Sequence, residues 1–345
     1  MRILPINRTP RLWLALACVT AILAAGAGAV TSAHATTRAA AAPTLKIALD
    51  WFPNPDHVAL FYALKKGMFA KAGVNVDLKT PSDPSAGLKL VSTNKFDLAI
   101  YYEGDLFYAG AQNLPVMGVG VLIPTPLNSM IAKAGSKVTT LESLKGATVG
   151  SAGLPFDGAV VQTIDARQHF AAGAIKSVNV GYNLVPALLT GKADAIVGGY
   201  WNIEAVQVKN QTGQQPVVFR MGQLGVPTYD ELIIVANRDR LKSDSAYAGA
   251  IRNFLSGLAQ GIKGATADKA GSIAIMKASS TYKQKDLNGM VPLTLQALGE
   301  TGGTKPTCFS TAKWKTFAGW MLKTKLLKKA IDPASIATNA YNPNC

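Results

Sequence analysis

An α/β fold in two lobes, joined by a hinge that the chain crosses twice, is the class this sequence predicts. From residue 45 onward, short runs of β-formers alternate with helical stretches, as in strand-helix units built around largely parallel sheets. The series closes at "LPVMGVGVLI" and restarts at "GATVGSAG", which implies two sheets. A chain of 345 residues with 48% apolar side chains can fill two modest cores.

The first 35 residues belong to neither lobe. Arg2, Arg8 and Arg11 precede the apolar run "LWLALACVTAILAAGAGAV", and Ala33-His34-Ala35 follows as a small-x-small site. This is the pattern of a secretory signal cleaved near Ala35, leaving a periplasmic or secreted protein. Cys18 offers lipidation as an alternative, but the apolar run continues well past it.

"LKIALD" then reads as a strand, 57–71 as a helix, "VNVDLK" as a strand, 84–93 as a helix, and "FDLAIYY" as a strand before "LPVMGVGVLI". In the second series "GATVGSAG", "SVNVGY" and "ADAIVGGYW" are strands, with helices over 157–170 and 184–190. Two passages join the halves, "IPTPLNSMIAK" and "FRMGQLGVPTYDELIIVAN", each marked by Pro or Gly beside β-formers. The first lobe is therefore expected over 36–126 and 232–345, and the second over 127–231. Residues 240–345 read as helices returning to the first lobe.

The chain is basic, with 35 Lys+Arg against 20 Asp+Glu and a formal net charge of +15. The lysines are scattered along helices, and the densest group, "KWKTFAGWMLKTKLLKK", has the apolar spacing of an amphipathic helix. A solvated basic face is expected, and no nucleic-acid partner. The only histidines are His34, His57 and His169, so catalytic sets are scarce; metal-ligand spacing is absent, and no Gly-x-Ser-x-Gly elbow is present. Binding without chemistry and without a cofactor is the simpler expectation. Beyond the leader only Cys308 and Cys345 remain. In an oxidising compartment a disulfide between them would stabilise by roughly 3 to 4 kcal/mol, the alternative being two free thiols.

Two strand exits concentrate rings, amides and acids. "ALDWFPNPDH" leaves a strand at Asp50 and offers Trp51, Asn54 and His57; "GGYWNIEA" leaves another and offers Tyr200, Trp201, Asn202 and Glu204. Such groups can clamp a planar polar heterocycle between lobes. Trp51 and Trp201 would equally serve as core residues, and Glu204 as compensation for a helix dipole. "SAGLPFDGA", with Phe156 and Asp157, follows a strand and opens a helix. Its amides could hold an oxygen, or Asp157 could simply be the helix N-cap.

"LDWFPNPDHVALFYALKKGMF", "DGAVVQT", "NLVPALLTGKADAIVGGYWNIEA" and "GVPTYDEL" together resemble the solute-binding proteins of ABC importers in the thiamine-pyrimidine precursor, NMT1/THI5-like, family. The resemblance implies a type II periplasmic-binding-protein fold and a monomer that delivers a formylamino- or hydroxymethyl-pyrimidine to a membrane permease. It also implies ligand contacts from Trp51, Asn54, Tyr102 and Glu103 in the first lobe and from Trp201 and Glu204 in the second. Riboflavin or another planar heterocycle is the runner-up ligand. The same fold includes a pyrimidine synthase, whose resemblance would require a lysine where Tyr101 stands and a cysteine-rich run where "PTYDELIIVAN" stands. Tyr101 is a bulky ring where relatives often carry a small residue, and it would either narrow the pocket or face the core.

Overall fold

A parallel strand buried on both faces needs apolar residues at nearly every position, and the centres of both sheets in this computed structural model meet that need. The structure describes residues 41–345; the leader, its cleavage near Ala35, and Cys18 lie outside the described residues. The first sheet contains β1 (Thr44–Ala48), β2 (Asn75–Lys79), β3 (Leu98–Tyr101) and β4 (Val116–Ile123). The second contains β5 (Asn128–Ala132), β6 (Thr148–Ser151), β7 (Lys176–Asn179), β8 (Ala195–Tyr200) and β9 (Val217–Arg220), and β10 (Leu232–Asn237) returns to the first.

Both sheets follow one plan. The orders are β2-β1-β3-β10-β4 and β7-β6-β8-β5-β9. In each, the first three strands of the series pair in parallel. The strand nearest a crossing then inserts antiparallel between the third and fourth. The sheets are thus mixed where largely parallel ones were expected. The reason is the hinge: β5 leaves the first lobe and β10 re-enters it, and each runs against its new neighbours.

The helix expected over 57–71 divides at Gly67, which has φ +68°, into Val58–Lys65 and Met68–Lys71. The one expected over 157–170 spans Pro155–Arg167, so Asp157 sits inside its first turn and Leu154, not Asp157, is the N-cap residue. The returning segment is helical, as expected, with Ser245–Ala267 the longest helix. Its buried Tyr247, Ile251, Phe254, Leu258 and Ile262 recur at helical spacing, and Phe254 stacks on Phe69 at 5.1 Å.

Cys308 and Cys345 are joined, with their Cα atoms 5.8 Å apart. Asn342 Nδ2 donates to Thr307 O at 2.8 Å, and Val121 N donates to the same carbonyl at 2.9 Å. The chain end is therefore tied to β4 in the first lobe.

Candidate functional site

The first lobe builds its side of the cleft from the residues that follow β1 and β3. Asn54 N-caps the turn Pro55–His57, its Oδ1 accepting from Asp56 N at 2.7 Å. His57 Nδ1 accepts from Asn54 N at 3.3 Å, so the ring's proton lies on Nε2, which donates to Asp50 Oδ1 at 2.7 Å. Tyr102 Oη donates to Asp50 Oδ2 at 3.1 Å. Two donors from different loops thus fix the Asp50 carboxylate. Tyr102 N-caps the helix Glu103–Ala111, which carries Asp105 in its first turn.

In the second lobe, Asn128 Oδ1 accepts from Gly198 N at 3.0 Å and Glu204 Oε2 accepts from Tyr200 N at 2.8 Å. Gly198 has φ +84°, and a Cβ there would come within 3.0 Å of the Asp157 carboxylate. Only glycine both adopts that backbone and leaves room for the acid. Glu231, at the second crossing, accepts from Leu127 N at 2.7 Å, Asn128 N at 2.8 Å and Tyr229 Oη at 3.0 Å. One carboxylate therefore fastens the two crossings together at the floor of the cleft.

The lobes meet across the opening. Phe156 N donates to Asp105 Oδ1 at 3.1 Å, Tyr182 Oη to Pro81 O at 3.0 Å, and Asn210 Nδ2 to Asp286 Oδ1 at 2.6 Å. Between them lies a cavity whose walls include Trp51, Tyr102, Phe156 and Tyr200. The cavity volume is about 30 Å³. The space is a narrow slot with aromatic rings on its walls.

Its charge is one-sided. Five carboxylates line the slot, those of Asp50, Asp105, Asp157, Glu204 and Glu231, and no lysine or arginine stands among the described lining residues. Burial, the largest cause in each case, pushes Asp105 up to about 7, Glu231 to about 7 and Glu204 to about 8, and raises Asp157 well above the ordinary range. Asp105 Oδ2 and Asp157 Oδ2 are buried without a hydrogen-bond partner among the described residues. Unpaired buried acceptors are costly, so the slot is complementary to a ligand rich in N–H donors and hostile to an anion.

Of the residues singled out in the sequence, Trp51, Asn54, Tyr102, Phe156, Asp157 and Glu204 line this slot. Glu103 and Trp201 do not. Glu103 is fully buried and its Oε2 accepts from Asp230 N at 2.6 Å, bracing the second crossing. Trp201 turns outward at the end of β8, where Nε1 donates to Pro126 O at 3.1 Å and the Arg220 guanidinium covers its ring at 3.6 Å. Tyr200 takes the cavity position instead. Tyr101 also faces away, its Oη donating to Ser85 O at 3.2 Å. Asp105, Asn128 and Glu231 were not anticipated. Asp105 follows the third strand by only four residues, and that spacing is the one signal that pointed to it.

Two lobes of identical strand order, a doubly crossed hinge and an enclosed slot between them define a periplasmic-binding-protein architecture of type II. The alkanesulfonate-binding protein SsuA from Xanthomonas axonopodis pv. citri, solved with MOPS bound, shares it with a TM-score of 0.66 at 15% identity, over 86% of this chain and 98% of that one. The profile of the family described as NMT1/THI5 like matches residues 54–271. A Haemophilus influenzae relative, assigned by name to thiamine biosynthesis, is 34% identical over 83% of this chain and 89% of its own length. The chain belongs to the NMT1/THI5-like family. The formylaminopyrimidine-binding protein of Halalkalibacterium halodurans is 32% identical over 56% of this chain and 58% of its own length. A 4-amino-5-hydroxymethyl-2-methylpyrimidine phosphate synthase from Uromyces fabae is 27% identical over 67% and 69%.

Proposed function

We propose that this protein is the extracytoplasmic solute-binding component of an ABC importer and that its ligand is an aminopyrimidine precursor of thiamine, of the formylamino or hydroxymethyl type. The observation that carries the reading is the slot itself: aromatic walls, five carboxylates and no lining cation. An aminopyrimidine is planar and offers an exocyclic amine, and its ring nitrogen gains a proton readily beside a carboxylate; charge-assisted bonds to Asp105, Asp157 or Glu204 would then be worth about 1.5 to 3 kcal/mol each. The name of the Halalkalibacterium relative supports the same ligand class. A sulfonate or phosphate would face five carboxyl groups and no lining cation. The leader read from the sequence and the fold of SsuA support a location outside the cytoplasm and delivery to a membrane permease, with a monomer as the working unit.

A binding role without turnover is favoured by the residues at the two synthase positions. Tyr101 stands at the third-strand exit and points away from the slot, and the second crossing carries Tyr229, Asp230 and Glu231 in place of cysteines. One observation favours a larger heterocycle such as riboflavin as a second reading: the slot adjoins an outer hollow lined by Trp51, Phe52, Tyr182 and Gln207. Calorimetry of the full mature chain against aminopyrimidines, riboflavin, thiamine and an alkanesulfonate decides. Micromolar or tighter binding of an aminopyrimidine, worth about 8 kcal/mol, is expected. Preference for the sulfonate, or conversion of any compound by the protein alone, overturns the reading.

A further inference from the structure

A buried polar trio outside the lining of the slot joins the two lobes. Asp56 comes from the turn after β1, Thr294 from the helix Gln284–Gly299, and Asn202 from the turn after β8 in the other lobe. All three are fully buried. Asn202 Nδ2 donates to Asp56 Oδ1 at 2.6 Å and to Thr294 Oγ1 at 2.8 Å, and Thr294 Oγ1 donates to Asp56 Oδ1 at 2.9 Å. Every donor aims at one oxygen. The other oxygen, Asp56 Oδ2, and the amide oxygen, Asn202 Oδ1, are each left without a partner among the described residues.

Those two orphaned atoms belong to the same pair of side chains, and one proton would satisfy both. A carboxylic acid and a carboxamide can pair head to head, with amide N–H donating to one carboxyl oxygen and carboxyl O–H donating to the amide oxygen. An ionised Asp56 would instead leave both buried acceptors unpaired, each at a cost. We infer that Asp56 is a positioning residue that is protonated when the cleft is shut, and that its acid-amide pair with Asn202 makes closure take up a proton.

The charged surroundings agree with this. Burial is the largest influence on Asp56 and raises its carboxyl to about 6, with the nearby Asp50 acting in the same direction and Asn202, Thr294 and His57 against it. Asp56 in turn is among the influences raising Glu204, Glu231, Tyr200 and Tyr282. With the cleft open, Asn202 withdraws and Asp56 regains water. Because the shut form then has the higher pKa, the latch is complete below the ordinary aspartate range. It weakens as pH rises from about 4 through about 6 and levels off above that.

This inference rests on the reading that ligand is captured by closure, so its test has an arm that needs no ligand. Asp56→Asn keeps both halves of the pair at every pH, whereas Asp56→Ala removes them. For the pyrimidine identified by calorimetry, the parent chain should bind within about fivefold of Asp56→Asn at pH 4.5. By pH 7.5 the variant should be up to about a hundredfold tighter, the two-unit gap between an ordinary aspartate and about 6. The parent should take up about 0.8 more proton than Asp56→Asn on binding near pH 5, falling to about half a proton at pH 6, and Asp56→Ala should be weaker at both pH values. Equal proton uptake by the parent and Asp56→Asn, or an Asp56→Asn chain weakened across the whole range, overturns the latch. If no pyrimidine binds, the proposed ligand fails, and small-angle scattering of the ligand-free chains still reads the latch. Asp56→Asn should then be more compact than the parent at pH 7.5, with the difference much smaller at pH 4.5; equal dimensions at pH 7.5 overturn it.

Discussion

At the end of β3 the chain reads Tyr101, Tyr102, Glu103; at the end of β8 it reads Tyr200, Trp201, Asn202, Ile203, Glu204. The two exits offer nearly the same side chains, yet only one ring of each pair and only one of the two acids reaches the slot. At β3 the helix begins at once, with Tyr102 as N-cap. Tyr102 faces the cavity, Glu103 is turned back to brace Asp230, and the cavity acid is Asp105. At β8 a turn of three residues delays the helix to Glu204, so Tyr200 faces in, Trp201 faces out and the delayed acid returns to the slot. What reaches a ligand is set by how many residues separate strand end from helix start, since alternate strand residues face opposite ways.

Truncating the outward ring gives the largest expected effect. Trp201 is buried, bonded to Pro126 and covered by Arg220, so Trp201→Ala should cost about 3 to 5 kcal/mol of folding stability in urea titration. The folded fraction should keep its ligand affinity. Tyr200→Ala should show the reverse emphasis, with affinity falling more than stability. If Trp201→Ala abolishes binding at unchanged stability, the two exits are alike and the comparison breaks.

The acids sharpen it next. Asp105→Asn and Glu204→Gln each lose a charge-assisted bond and should weaken pyrimidine binding by about 2 kcal/mol, roughly thirtyfold, in calorimetry. Glu103→Gln should instead lower the unfolding midpoint while changing affinity little, because its carboxylate serves the second crossing. An affinity loss at Glu103 equal to that at Asp105 would return it to the ligand.

Glu204 also predicts a pH dependence. Its carboxyl is raised by burial to about 8, above the ordinary value near 4.3, so the folded state holds a proton that the unfolded state has released. Stability should therefore fall as pH rises from about 4 toward about 8. Glu204→Gln removes that contribution, and urea titrations at pH 5 and 8 should show a shallower decline than in the parent chain. A parallel decline would mean that water reaches Glu204 freely.

The strand-helix series, its restart and the helical return were legible because apolar periodicity is a local signal. The antiparallel insertion of β5 and β10 was not, because it depends on which sheet a strand joins after a crossing. Trp51, Asn54 and Phe156 could be singled out from their company of Gly, Pro and polar residues. Trp201 had the same company and was misjudged, since a shift of one residue reverses the facing of a side chain. Asn128 carries no motif, and Glu231 lies in "GVPTYDEL" without a signal that sets it apart as a cavity residue; the hinge brings them to the slot from positions far apart in the chain. Their roles are products of topology.

The smallest effects test the alternation at a single hydroxyl. Tyr101 Oη donates to Ser85 O and Tyr102 Oη to Asp50 Oδ2, so Tyr101→Phe and Tyr102→Phe each remove one oxygen and one hydrogen bond. Each should cost stability by about 1 kcal/mol. Only Tyr102→Phe releases a cavity carboxylate, leaving Asp50 held by His57 alone. Its ligand affinity should change by about fivefold, whereas Tyr101→Phe should bind as the parent does. The direction at Tyr102 is informative: weaker binding means that Asp50 must be held in place to meet the ligand, while tighter binding means that the phenol had been competing with the ligand's own donor. A change in affinity at Tyr101 equal to that at Tyr102 would place both rings in the slot, which the adjacent, opposite-facing positions at the end of β3 do not allow.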